Sequence, residues 1–145
     1  MSWRFAAAIT VAMMLSACGS DGPTAPTRTA SLNVVVSPNP LPAVAVGEVI
    51  VFDVTLSETA GVGVQLITDS ARLVDASGNE LPGALGLCYS GAGCLPVHIL
   101  HYLSFQIRNR ALKVVSTPPD RLEYTINAVD DNNHYLSVSV KVPIQ

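Results

Sequence analysis

The sequence predicts an all-β domain folded as an antiparallel β-sandwich of about seven strands. Apolar and polar residues alternate with a period of two through most of residues 31–145, and helical spacing is almost absent. Short segments rich in Gly, Pro, Asn and Asp separate the alternating stretches. A chain of 145 residues suffices for one core of this kind, in which each sheet buries one face.

The first half of this domain contains the clearest strand. The segment LNVVVS, Leu32 to Ser37, alternates and ends at a Pro-Asn-Pro turn. The segment VIVFDVTLS places four apolar residues on one face, namely Ile50, Phe52, Val54 and Leu56. Shorter strands are predicted at Val64–Leu66 and Ala71–Val74, and the segment DASGNE then forms a turn.

The second half begins with a predicted long loop, Leu81–Pro96, which is rich in glycine. Strands are predicted at Ile99–Ile107 and Leu112–Val115, and the last two strands form a hairpin around the DDNN turn. The inward residues of this hairpin are predicted to be Leu122, Tyr124, Ile126, Ala128, Leu136, Val138, Val140 and Val142.

The hairpin segment DRLEYTINAVDDNNHYLSVSV resembles bacterial immunoglobulin-like and fibronectin type III-like modules. Asp120 precedes Tyr124 as in the tyrosine corner of immunoglobulin-like domains, and Ile126 stands where such domains carry their second core cysteine. The resemblance covers residues 31–145 and implies an immunoglobulin-like antiparallel β-sandwich. Because the inter-sheet cysteine pair is missing, the core is expected to depend on aliphatic packing.

Residues 1–17 are predicted to be a lipoprotein signal peptide. Arg4 supplies a positive charge, and the apolar run Phe5–Leu15 is shorter than the roughly 20 residues that a membrane-spanning helix needs. The sequence Leu15-Ser16-Ala17-Cys18 then resembles the lipobox of bacterial lipoproteins. This resemblance implies that the thiol of Cys18 is acylated and that Cys18 becomes the mature N-terminus.

The predicted anchor determines the expected location and domain organisation. Residues 18–30 form the acylated cysteine and a flexible linker, and residues 31–145 form the folded domain. Gly19 follows the cysteine, which by the sorting pattern of enteric lipoproteins favours the outer membrane over the inner membrane. We expect a monomer of the cell envelope that is held on the membrane through its N-terminus.

Cys88 and Cys94 are predicted to form a disulfide, because an exported chain meets an oxidising compartment and the glycines between them allow a tight loop. The alternative is a metal or small-ligand site in the Cys88–His101 loop, where His98 and His101 add ligand types that suit zinc or copper. On a strand, however, two histidines three residues apart point to opposite faces. No metal or cofactor is therefore expected.

Two further features have a binding and a structural interpretation. The run Asp130–Asn133 offers oxygen ligands for calcium, but the same residues form ordinary hairpin turns, which is the preferred interpretation. Tyr89, Tyr102 and Tyr135 are the candidate binding aromatics, with Tyr135 on the outward face of the last strand. Tyr124 has the inward phase of a core residue.

Charge and motif content argue against nucleic-acid binding and catalysis. Eight Lys and Arg are scattered among eleven Asp and Glu, and they form no basic stripe. The chain lacks the sequence motifs of serine hydrolases, zinc proteases and phosphate-binding loops. The expected function is a non-enzymatic adhesion, scaffold or interaction module whose partner is an envelope protein or a glycan. A hydrolase that uses one of the histidines, at positions 98, 101 and 134, is a further alternative.

Overall fold

The computed structural model describes residues 27–82 and 95–145. The regular secondary structure of these residues is entirely β-strand. The strands are β1 (Leu32–Ser37), β2 (Val49–Glu58), β3 (Val64–Val74), β4 (Glu80–Leu81), β5 (Val97–Ile99), β6 (Ser104–Lys113), β7 (Arg121–Asp130) and β8 (Tyr135–Pro143). No segment described by the structure forms an apolar helix of membrane-spanning length.

The strands form two sheets that enclose one core. The first sheet has the order β1-β2-β6. The second has the order β4-β3-β7-β8, and the short strand β5 pairs with the start of β3 on the same edge as β4. Neighbouring strands are antiparallel throughout both sheets. The predicted antiparallel β-sandwich is confirmed, with eight strands where about seven were expected.

The predicted inward residues of β2 and β7 form the centre of this core. All four apolar residues of β2 are buried, and so are the four alternating residues of β7. Phe52 and Tyr124 meet edge to face across the two sheets, with ring centroids 6.1 Å apart, which is a favourable aromatic geometry. The inward residues of β8 are less covered because β8 lies at a sheet edge, and among them only Val142 is fully buried.

Three predicted strand boundaries are wrong. The stretch Ile99–Ile107 is not one strand, because a turn at residues 100–103, closed by the N–H of Leu103 donating to the carbonyl of Leu100, separates β5 from β6. The segments predicted at Val64–Leu66 and Ala71–Val74 belong to a single strand, β3. Residues Leu112 and Lys113 are likewise the end of β6, and Val114 and Val115 follow it.

Two β-bulges explain why period-two alternation misses these continuous strands. In β3 the register against β7 shifts between Leu66 and Thr68, and in β6 the register against β2 shifts opposite Phe52–Val54. An extra residue reverses which face the following side chains occupy. As a result the inward positions of β3 change from even-numbered to odd-numbered residues.

The bulges turn two charged residues into the core. Asp69 of β3 and Arg110 of β6 form an ion pair between the sheets, and both side chains are nearly buried. The hydroxyl of Tyr124 donates to Asp69 Oδ2 at 2.7 Å. The predicted tyrosine corner is therefore wrong, because this hydroxyl bonds a carboxylate on the neighbouring strand β3 of the same sheet and not the backbone just before β7.

The buried group of Asp69, Arg110 and Tyr124 depends on all three of its members. Burial together with the Asp69 carboxylate raises the pKa of Tyr124, so the phenol stays protonated. Arg110 Nε is buried and has no hydrogen-bond partner within the described residues. A buried ion pair adds little net stability, but removal of one partner leaves the other charge uncompensated.

We predict that Asp69→Asn lowers the free energy of unfolding by about 3–5 kcal/mol, because Arg110 would keep its charge without a counterion. Urea unfolding followed by circular dichroism measures this change. The triple variant Asp69→Leu, Arg110→Met, Tyr124→Phe should recover most of the loss, since no buried polar group remains there.

The matched control is Lys141→Gln, which removes an exposed cation 3.5 Å from Glu123, whose carboxylate keeps its hydrogen bonds from Arg72 and Arg121. Exposed ion pairs contribute at most about 1 kcal/mol. Equal destabilisation by Asp69→Asn and Lys141→Gln would contradict this account of the core.

Candidate functional site

The candidate site is the end of the sandwich at which the N-terminal segment joins the folded body, named here the tether end. It consists of residues 27–31 and three loops, namely 59–63 between β2 and β3, 100–103 between β5 and β6, and 131–134 between β7 and β8. The adjoining strand residues Glu58, His98, Asp130 and Tyr135 also belong to it. Antiparallel pairing brings these loops together, because β2, β5 and β7 end where β3, β6 and β8 begin. The residues predicted as candidates for binding concentrate here.

Glu58, the last residue of β2, connects three parts of the tether end. Its carboxylate accepts hydrogen bonds from the backbone N–H groups of Ala60 at 2.7 Å, Gly61 at 2.9 Å, Tyr102 at 3.0 Å and Ser31 at 3.3 Å. Burial alone would raise the pKa of Glu58, but these four donors together lower it to about 2. The ionised carboxylate thus acts as a structural acceptor and not as a proton donor.

Asp130, the last residue of β7, has the same role in the hairpin turn. Its carboxylate accepts the backbone N–H groups of His134 at 2.8 Å, Asn132 at 2.9 Å and Ala30 at 3.1 Å, and His134 Nδ1 lies 3.0 Å from it. Burial would raise the pKa of Asp130, whereas these hydrogen bonds lower it to about 2. Because the carboxylate oxygens face N–H donors, these contacts match the turn interpretation of Asp130–Asn133 and not a calcium loop.

The two carboxylates hold the N-terminal segment against the sandwich. Ala30 bonds Asp130, Ser31 bonds Glu58, and the side chain of Asn132 donates to the carbonyl of Arg28 at 2.7 Å. The N–H of Thr59 donates to the carbonyl of Ser31 at 2.9 Å, immediately before β1 begins. The part of the predicted linker from Arg28 onward is therefore bonded to the folded body.

The histidines of the tether end have separate partners. His98 Nε2 lies 2.8 Å from Asp131 Oδ1, while the ring of His101 packs edge to face against Tyr102. A side chain at Gly63 would meet the carboxylate of Asp131 and the ring of His98, so a larger residue there would have to displace this pair. His98 and His101 thus do not converge on one point, and the described residues contain no group of three metal-ligating side chains.

Tyr102 and Tyr135 are prominent on the surface of this end. Tyr135 is 85% exposed and Tyr102 is 64% exposed. Tyr102 has a left-handed backbone with φ of 57°, which is unfavourable for an aromatic residue. Its N–H bond to Glu58 holds that conformation, and its ring lies where a side chain at Gly61 would otherwise be.

The other candidates lie outside the described residues. They are the lipidation site Cys18, the predicted disulfide pair Cys88 and Cys94, and Tyr89. The acylation, the disulfide and the binding role of Tyr89 stay predictions. The alternative metal or small-ligand site in the Cys88–His101 loop also stays a prediction.

A second polar cluster lies on the outer face of the larger sheet, far from the tether end. Glu123 accepts hydrogen bonds from Arg72 at 2.6 Å and from Arg121 at 3.1 Å, and Lys141 is 3.5 Å away. Hydrogen bonds from Arg72 and Arg121 lower the pKa of Glu123 to about 2. The adjacent depression of about 310 Å³ is lined by Glu80 and Glu123, which both pair with Arg72, and this fits a cross-strand ion network.

Sequence reasoning missed Glu58 as part of the site and gave Asp130 only a local role. Their donors lie up to 100 residues away along the chain, as for Ala30 and Asp130. The sequence does carry one signal for these two acids, which is their position. Each acid ends an alternating strand and is followed by turn-forming residues. The pairing of His98 with Asp131 had no sequence signal.

Comparisons with protein-family models, with curated proteins and with solved structures found no match to this chain.

We predict that the free energy of unfolding falls as the pH decreases from 4.5 towards 2. The pKa values of Glu58 and Asp130 are about 2 in the folded state, below their ordinary values of 4.5 and 3.8, so the unfolded chain binds protons first. The stabilisation is complete above the ordinary values and is lost as the pH falls through the folded values. Chemical unfolding across this range measures it.

Glu58→Gln should reduce the stability at pH 7 and make the acid dependence shallower, because the titrating group is gone. The matched control Glu80→Gln removes a carboxylate whose contact is an exposed ion pair with Arg72 at 3.6 Å. It should leave the pH profile close to that of the wild type. If both variants retain the same slope, Glu58 does not act as proposed.

Proposed function

We propose that this protein is a lipid-anchored cell-envelope protein whose β-sandwich is a non-enzymatic adhesion, scaffold or interaction module. Acylated Cys18 holds it on the outer membrane, and the body presents its surfaces to an envelope protein or a glycan. The observation that carries the proposal is the bonding of Ala30 to Asp130 and of Ser31 to Glu58, together with the hydrogen bond from Asn132 to the carbonyl of Arg28. It gives the anchored chain a defined attachment point on a compact body.

The position of this attachment supports a presentation role. Because the chain joins the body at the tether end, the strands run away from the anchor. A strand of ten residues, such as β2, is about 34 Å long. The opposite end and the outer sheet faces therefore extend towards partners, and confinement at the membrane raises the effective concentration for weak contacts.

The outer face of the larger sheet carries groups suited to such contacts. Thr125 and Ser139 share a hydrogen bond of 2.7 Å between their hydroxyl groups, and Asn127 Nδ2 donates to Thr68 Oγ1 at 3.2 Å. These neutral hydroxyl and amide groups are exposed and adjacent across three strands. They can exchange hydrogen bonds with glycan hydroxyls or with the polar rim of a protein interface.

The contacts of the histidines support a non-enzymatic role. His98 pairs with Asp131, His134 with Asp130, and His101 with the ring of Tyr102. A hydrolytic histidine is oriented by one acid while it activates a nucleophile. Asp130, the acid beside His134, is instead surrounded by backbone N–H groups.

We predict that the native chain carries an acylated N-terminal Cys18 and that Cys18→Ser abolishes membrane association. Each buried methylene of an acyl chain contributes about 0.8 kcal/mol to membrane affinity. Intact-mass analysis and flotation of membrane fractions measure both effects. An unmodified N-terminus on a membrane-free protein would refute the anchor.

The interaction role has its own test. Crosslinking in intact cells should capture an envelope protein or glycan with the anchored form and markedly less with Cys18→Ser, because the serine form is not concentrated at the membrane. Variant Thr125→Lys, on the outer sheet face, should weaken capture without affecting flotation. Equal capture by all three forms would contradict presentation by this face.

A further inference from the structure

We infer that the tether end is itself a membrane-contacting surface, which rests apolar and aromatic side chains on the lipid interface while the anchor holds the chain. This inference rests on the proposed acylation of Cys18. The surface consists of Leu100, Tyr102, Leu103 and Tyr135 and is named here the apolar rim. Its ligand is the headgroup and upper acyl region of a phospholipid bilayer.

The chain between the predicted anchor and the sandwich is short. The chain from Cys18 to Thr27 spans at most about 30 Å even when fully extended. From Arg28 onward the chain is already bonded to the sandwich, so no further slack is available beyond that point. The tether end is therefore the part of the described body that lies nearest to an anchored lipid.

The side chains of the apolar rim are exposed. Leu100 and Leu103 are each about half exposed, and both tyrosines are more exposed still. Leu100, Tyr102 and Leu103 lie in the loop before β6, while Tyr135 begins β8 at the opposite edge of the larger sheet. The apolar rim thus flanks the N-terminal segment on two sides. Tyrosine is the residue type that suits the boundary between lipid and water, because its ring is apolar and its hydroxyl is polar.

The described residues of the tether end carry few exposed charges. Within residues 27–31 and the three loops the exposed ionised side chains are Arg28 and Asp131, and Asp131 is paired with His98. Glu58 and Asp130 are buried and face N–H donors, so they present no open carboxylate to lipid. A surface with so few exposed charges approaches a bilayer interface with a low desolvation cost.

The backbone of Tyr102 adds an independent observation. The bond from its N–H to Glu58 holds this aromatic residue in a left-handed backbone conformation, and its ring, which packs over Gly61 and against His101, stays largely exposed. Strained residues of this kind concentrate at functional surfaces, where the surrounding structure maintains them. Insertion of the Tyr102 ring at a lipid interface is a function that this backbone conformation would serve.

The test uses tryptophan as a depth reporter in the full acylated chain. The sequence has one tryptophan, Trp3, within the predicted signal peptide, so the mature protein is free of this fluorophore. Three single variants are compared, namely Tyr102→Trp, Tyr135→Trp and the control Val51→Trp. Val51 is 49% exposed on β2, and it lies about 24 Å from the tether end along the strand.

Each variant is reconstituted into phosphatidylcholine vesicles whose acyl chains are brominated. We expect roughly twofold or greater extra quenching and a blue shift for Tyr102→Trp and Tyr135→Trp relative to Val51→Trp, because interfacial aromatics lie at headgroup depth. Circular dichroism confirms that all three variants fold alike.

The outcomes separate this inference from the proposed function. If the protein floats with vesicles but all three reporters are quenched equally, the anchor stands and the membrane-contacting surface is refuted. If the protein does not float and Cys18 is unmodified, the anchor and the surface both fail. A blue shift at positions 102 and 135 in native envelope fragments but not in protein-free vesicles assigns the apolar rim to a protein partner and also overturns the inference.

Discussion

Two buried carboxylates, Glu58 and Asp130, organise the end of the molecule on which its proposed function depends. Backbone N–H groups in tight loops need acceptors, and a buried carboxylate needs donors, so each satisfies the other. Glu58 gathers donors from three separate segments and Asp130 gathers donors from two. The loop conformations and the path of the N-terminal segment are consequently determined together, because neither acid can lose its donors without exposing or neutralising a charge.

The centre of the sandwich uses a different solution for buried polarity. Asp69 and Arg110 neutralise each other between the sheets, and Tyr124 joins them while its ring packs against Phe52. The absence of an inter-sheet cysteine pair led to the expectation that the core depends on aliphatic packing. The observed core instead contains a directional polar contact, which favours one alignment of the two sheets because its geometry cannot slide as apolar packing can.

Together these features give a stiff body with distinct surfaces. The tether end joins the chain that leads to Cys18 and carries the apolar rim, whereas the outer face of the larger sheet is hydroxyl-rich and laterally accessible. A membrane-contacting end would limit the tilt of the body, so the sheet face would meet partners at a more constant height and angle. Anchoring and presentation are then two uses of the same orientation.

The sequence by itself determined the alternating strands, the hairpin around Asp131–His134 and the β-sandwich, because period-two alternation and turn residues are local properties. Only the tertiary structure decided where that alternation reverses. The bulges in β3 and β6 depend on the registers of partner strands, and they alone turn Asp69 and Arg110 inward. The roles of Glu58 and Asp130 were equally hidden, because hydrogen bonds to distant backbone N–H groups carry no side-chain signature. The period of alternation along a strand depends on neighbouring residues. The β-bulges and the hydrogen-bond partners of the buried carboxylates depend on contacts between segments that are remote in sequence.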